Sequence, residues 1–123
     1  GLVVADGGHG GTYSYIKNRA DRPTAEARWI FKPDAEGYYD VYAYIPPSSF
    51  GLTGAARYVV HHAGRVSEPL IVSQAASAGQ WALLGNYYFA RLAGQHVLLD
   101  NFTGEASASR VVAFDTLLFV PGR

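Results

Sequence analysis

The feature that most constrains this chain is an alternation of apolar and polar residues with period two, repeated in short runs between Thr12 and Val120. That period belongs to half-buried β-strands, because successive side chains on a strand point to opposite faces. Eight runs carry it: Thr12 to Lys17, Thr24 to Phe31, Tyr38 to Ile45, Ala55 to His62, Glu68 to Gln74, Gln80 to Phe89, Gln95 to Asn101 and Arg110 to Val120. Gly, Pro and Ser interrupt them, as in Lys32-Pro-Asp-Ala-Glu-Gly37, Pro46-Pro-Ser-Ser-Phe-Gly51 and Ala63-Gly64. No segment shows a capped stripe of helical period, and Ala75 to Gly79 has room for one helical turn at most. The expectation is an all-β, two-sheet antiparallel β-sandwich of about eight strands, in sandwich or jelly-roll form. With no internal repeat or linker, residues 1–123 read as a single domain.

Composition supports strands and narrows the partners. Nine Tyr, six Phe and two Trp in 123 residues, with Lys and Glu scarce, suit a pleated surface. Ten basic and ten acidic residues cancel, and no basic run offers a groove for nucleic acid or an anionic membrane surface. There is no Cys, so disulfides and thiolate metal sites are excluded. No apolar run approaches the roughly 20 residues of a membrane span. The chain starts at Gly1 and contains no Met, which reads as a piece of a longer protein.

A set of short motifs follows in a fixed order. Ala25-Glu-Ala-Arg-Trp29 comes first, then Gly37-Tyr-Tyr-Asp-Val-Tyr-Ala-Tyr-Ile-Pro46. Arg57-Tyr58 to His62-Ala-Gly64, Val72-Ser-Gln74, Gly79-Gln-Trp81, Leu84-Gly85 and Phe89 come after. In this order they resemble the golvesin C-terminal-like domain, also described as a xanthan-lyase carbohydrate-binding-like domain. Two places depart from its pattern: Ala113-Phe-Asp115 stands where Ala-Asp-Ala is usual, and Asp6-Gly-Gly-His-Gly-Gly11 is a looser opening turn. The resemblance implies a galactose-binding-like jelly-roll module of secreted bacterial proteins, extracellular or at the cell surface, serving binding or scaffolding rather than catalysis.

Sorting residues by strand face locates candidates for contact. Tyr39, Val41, Ala43 and Ile45 read as core, as do Ala56, Tyr58 and Val60 with His62. In Gln80 to Phe89 the expected core set is Trp81, Leu83, Tyr87 and Phe89, and Trp29 is likewise expected to anchor packing. If the three strands Tyr38 to Ile45, Ala55 to His62 and Gln80 to Phe89 are neighbours, Asp40, Tyr42, Tyr44, Arg57, His61, Asn86 and Tyr88 share the opposite face. Such a surface suits a glycan, since aromatic rings cover the C–H side of a pyranose while polar groups bind hydroxyls. It equally suits cross-strand aromatic pairs that only stabilise a sheet.

Reactive constellations are not legible. His61 and His62 are consecutive, so on a strand they point apart and do not chelate one ion together. Asp6 and His9 lie in a Gly-rich turn without the strand-to-helix context of a phosphate loop. No Asp-rich loop specifies a structural Ca²⁺, although jelly-roll modules accommodate one, and no other cofactor is implied. The acids are scattered singly and no nucleophile elbow is present, so no catalytic residue is assigned. Asn101-Phe-Thr103 is a formal glycosylation sequon. Two readings follow. One is a non-catalytic carbohydrate-binding accessory module of a larger secreted protein, with a polysaccharide or glycan as ligand. The other is a structural or adhesive module whose partners are copies of itself or a parent enzyme.

Overall fold

A computed structural model describes residues 2–122, and the expected all-β sandwich forms from eleven strands. These are β1 (Val3–Asp6), β2 (Thr12–Lys17), β3 (Glu26–Ile30), β4 (Gly37–Ile45), β5 (Ala56–His62), β6 (Arg65–Val66), β7 (Leu70–Val72), β8 (Gln80–Phe89), β9 (His96–Asp100), β10 (Val111–Phe114) and β11 (Leu117–Pro121). The extra strands are β1, the short β6, and a split of Arg110 to Val120 at Asp115-Thr116 into β10 and β11. That split lets the chain change sheets: β10 pairs with β2, and β11 pairs with β4.

Hydrogen bonding divides the strands into three antiparallel sheets, ordered β1-β2-β10, β11-β4-β8 and β3-β9-β5-β6, with β7 also on β5. Their inward faces share one core. Val41, Ala43 and Ile45 of β4, Ala56, Tyr58 and Val60 of β5, and Val97 and Leu99 of β9 are all buried, as their alternation requires. Strand β10 is buried along its whole length, so it reads as a continuous apolar run. An aromatic knot closes one end, where Phe31 stacks on Phe119 at 4.0 Å and meets Phe89 edge-on at 5.1 Å.

Buried amides complete the framework. Gln74 donates from Nε2 to the Ala113 carbonyl at 2.9 Å and accepts at Oε1 from the Ala113 N–H, also at 2.9 Å. It thereby stands in for a strand beside β10, and its Nε2 lies 3.2 Å from the Tyr58 hydroxyl. Burial pushes that phenol up to about 12. Asn101 is fully buried; its Oδ1 accepts from the Thr24 and Ala25 amides, and its Nδ2 donates to the Lys17 carbonyl and Thr24 Oγ1. The sequon at this position is therefore a structural tie, and its nitrogen is inaccessible in the folded domain. The Ala75 to Gly79 segment is a turn, in which the Ser77 amide reaches the Ser73 and Gln74 carbonyls.

The candidate site on the outer β11-β4-β8 face

The outward residues of β4 are Tyr38, Asp40, Tyr42 and Tyr44, and pairing places Tyr88, Asn86, Leu83 and Trp81 of β8 opposite them in that order. On the other side of β4, Leu118 lies opposite Tyr42 and Val120 opposite Asp40. The face is therefore built in cross-strand rows: Tyr44 with Trp81, Leu118 with Tyr42 and Leu83, Val120 with Asp40 and Asn86, and Tyr38 with Tyr88. Leu83 is 59% exposed, Tyr38 54%, Leu118 42% and Trp81 37%, so the apolar rows are open to solvent.

Trp81 and Leu83 face outward, against the expectation that both belong to the core. The cause is a β-bulge. Val41 pairs with Gly85 but Tyr42 pairs with Leu83, leaving Leu84 as the extra residue. The insertion reverses the phase of β8, so Ala82 faces the core before the bulge, Tyr87 and Phe89 face it after, and Leu84 at the bulge is itself buried. Gly85 takes φ +135°, and a Cβ there would lie 2.8 Å from the Tyr87 hydroxyl oxygen. The Tyr87 ring folds back over Gly85 and its hydroxyl donates to the Leu84 carbonyl at 2.9 Å. An isolated Gly within a strand pattern is a signal for such a bulge, and it was the one sequence clue to the true face of Trp81.

The Gly-rich turn between β1 and β2 delivers a ring that sequence patterning did not assign to the site. Its Gly7 and Gly11 amides donate to the Gly11 and Gly8 carbonyls, both at 3.0 Å, and the His9 amide donates to Asp115 Oδ2 at 3.0 Å. At Gly8 a Cβ would fall 2.0 Å from the Thr12 carbonyl oxygen, so only glycine fits. The turn holds His9 against both outer-face rings, with centroids 5.1 Å from Trp81 and 5.4 Å from Tyr44. Tyr44 and Trp81 are themselves 5.2 Å apart at 66°. Nothing local foretells this meeting, since it joins residues from three distant segments.

At the opposite end Tyr38 meets Tyr88 edge-on at 5.2 Å. The Tyr88 hydroxyl donates to Glu36 Oε2 at 2.5 Å, and that hydrogen bond, with smaller effects of burial and neighbouring charge, holds the phenol above its ordinary value. Between the ends, Asn86 Nδ2 donates to Asp40 Oδ1 at 2.9 Å. A cleft of about 360 Å³ continues the face past this end, lined by Tyr38, His62, Arg65, Asn86 and Tyr88 among others.

Of the sequence candidates, Asp40, Tyr42, Tyr44, Asn86 and Tyr88 lie together on this face. Arg57 and His61 do not, because β5 is not a neighbour of β4 or β8; its sheet partners are β9, β6 and β7. The Arg57 guanidinium sits 4.6 Å above the Phe102 ring. His61 stacks on His96 across the β5–β9 pair, with centroids 4.2 Å apart at 15°. Burial, then the neighbouring His96 and Arg28, lower the His61 pKa from its ordinary value. His62 points to the other side, and its Nδ1 bonds the Tyr88 carbonyl at 2.8 Å at the end of the strand. Among the described residues no three His, Cys, Asp or Glu side chains gather to hold a metal ion. The outer face offers ring surfaces and amide or carboxylate edges, which is a chemistry of contact.

Comparison with known proteins agrees with this architecture. No curated protein matches the sequence. Among solved structures the chain is similar to a Paenibacillus xanthan lyase, with TM-score 0.83 and 20% identity over 100% of this chain. It spans 11% of that lyase's length, and the likeness concerns the fold. The family model of the Golvesin C-terminal domain matches residues 4–120, nearly the whole sequence, and this chain belongs to that family.

Proposed function

We propose that this domain is a non-catalytic carbohydrate-binding accessory module of a larger secreted bacterial protein, and that its ligand lies on the outer face of the β11-β4-β8 sheet. The observation that carries the reading is the outward Tyr44–Trp81 pair, with Trp81 37% exposed on an otherwise open sheet. The bulge leaves the indole partly exposed between Tyr44 and His9, and a ligand that stacks on the exposed part of the ring would recover burial that a core Trp has in full. Asp40, Asn86 and Tyr88 supply the polar edges for hydroxyls, and this chemistry needs no cofactor. The similarity in fold to part of a xanthan lyase makes xanthan the first polysaccharide to test. The experiment is a glycan array, with immobilised xanthan included, run on the domain and on a Tyr44→Ala/Trp81→Ala variant. Binding by the domain that the variant loses is the expected result; binding that the variant keeps removes the site assignment.

A second reading is favoured by a specific observation. Leu83, Leu118 and Val120 add exposed aliphatic surface to the same face, which suits a protein partner as well as a sugar. In that reading the domain is a structural or adhesive module that meets copies of itself or its parent enzyme. Light scattering over a concentration series distinguishes the two, since self-association predicts an apparent mass that grows with concentration.

A further inference from the structure

Resting on the carbohydrate-binding reading, we infer that the face takes an extended internal segment of a linear polysaccharide, lying along β4, rather than a terminal sugar. Two aromatic stations mark the ends of the face. One is Tyr44, Trp81 and His9; the other is Tyr38 and Tyr88. Tyr44 and Tyr38 are both outward on the same strand and six residues apart, which at the rise of a β-strand separates the stations by roughly 20 Å. A disaccharide does not cover that distance and a tetrasaccharide does.

The surface between the stations is continuous and open. Tyr42, flanked by Leu118 and Leu83, supplies an apolar floor, and the Asp40–Asn86 pair supplies a hydrogen-bonding edge beside it. At the first station Trp81 keeps 37% of its surface exposed beside His9. At the Tyr38–Tyr88 end the face runs on into the 360 Å³ cleft beside Arg65. A site for a terminal sugar instead needs a concave pocket that buries most of the ligand. An apolar row with a ring station at each end fits a chain that lies along the strand.

The test is affinity against chain length. The domain is first screened by affinity electrophoresis in gels containing xanthan, xylan, galactomannan or a soluble cellulose derivative. Di-, tetra- and hexasaccharides of the retained polymer are then titrated calorimetrically. Because a second contact on the same chain acts as an intramolecular one, the hexasaccharide should bind at least about tenfold more tightly than the disaccharide. Trp81→Ala and Tyr38→Ala should each bring hexasaccharide affinity toward the disaccharide value. Affinity independent of length, or loss with Trp81→Ala and none with Tyr38→Ala, overturns the extended-chain inference while leaving carbohydrate binding intact. Retention by no polymer overturns the carbohydrate reading itself, and this inference with it.

Discussion

Gly85→Ala tests the bulge that turns Trp81 outward. Two costs follow from the geometry. An L-residue at φ +135° is held in a sparsely populated backbone region, which costs about 1–3 kcal/mol. The new methyl would also sit 2.8 Å from the Tyr87 hydroxyl oxygen and 3.0 Å from two ring carbons. The ring must swing away and give up its hydrogen bond to the Leu84 carbonyl, at about 1 kcal/mol. Together these predict a loss of about 2–4 kcal/mol, or a fall in Tm of about 8–16 °C for a domain of this size. Thermal and urea unfolding followed by circular dichroism measure it. Tyr87→Phe alone should cost about 1 kcal/mol, and the double variant should cost less than the sum because the clashing oxygen is gone. A Gly85→Ala protein within about 0.5 kcal/mol of the parent would refute this account of the bulge.

Three further outcomes are expected. Trp81→Ala should lower stability by about 1–2 kcal/mol, the scale of its edge contacts with Tyr44 and His9, and a core-sized loss of about 3–5 kcal/mol in urea titration would return Trp81 to the interior. Gln74→Ala should cost about 3–5 kcal/mol, since it leaves the Ala113 N–H and carbonyl buried without partners, and unchanged unfolding would show that β10 needs no substitute strand. His61 has a lowered pKa in the fold, so below its ordinary value of 6.5 the unfolded chain binds the proton more readily. Its stabilisation is present above that pH and is lost as pH falls; His61→Gln should flatten the decline between pH 7 and 5, and an unaltered slope would refute the assignment.

Much of the fold was legible in the sequence because most strands keep a strict period. In β4 and β5 every alternate residue from Tyr39 to Ile45 and from Ala56 to Val60 is buried, as the pattern predicts. The period is local information and fails where geometry is not regular. In β8 one bulge residue reversed the faces of Trp81 and Leu83. Sheet order is not local information at all. Strands β4 and β5 follow each other in the chain, yet β4 pairs with β8 and β11 while β5 pairs with β9. Arg57 and His61 share a face with the tyrosines only if β4 and β5 are sheet neighbours, and they are not. His9 reaches Trp81 through a turn whose position depends on Asp115, far along the chain, so no pattern near His9 reports it.

The proposed function puts the glycan on the outer β11-β4-β8 face. Its most direct test is a two-dimensional NMR titration of the isotope-labelled domain with an oligosaccharide of the polymer selected by the array. Shifts concentrated at His9, Tyr42, Tyr44, Trp81 and Leu83 and extending to Tyr38 and Tyr88 are expected. Shifts concentrated instead at Arg57, His61 and the rest of the β3-β9-β5 sheet would contradict it.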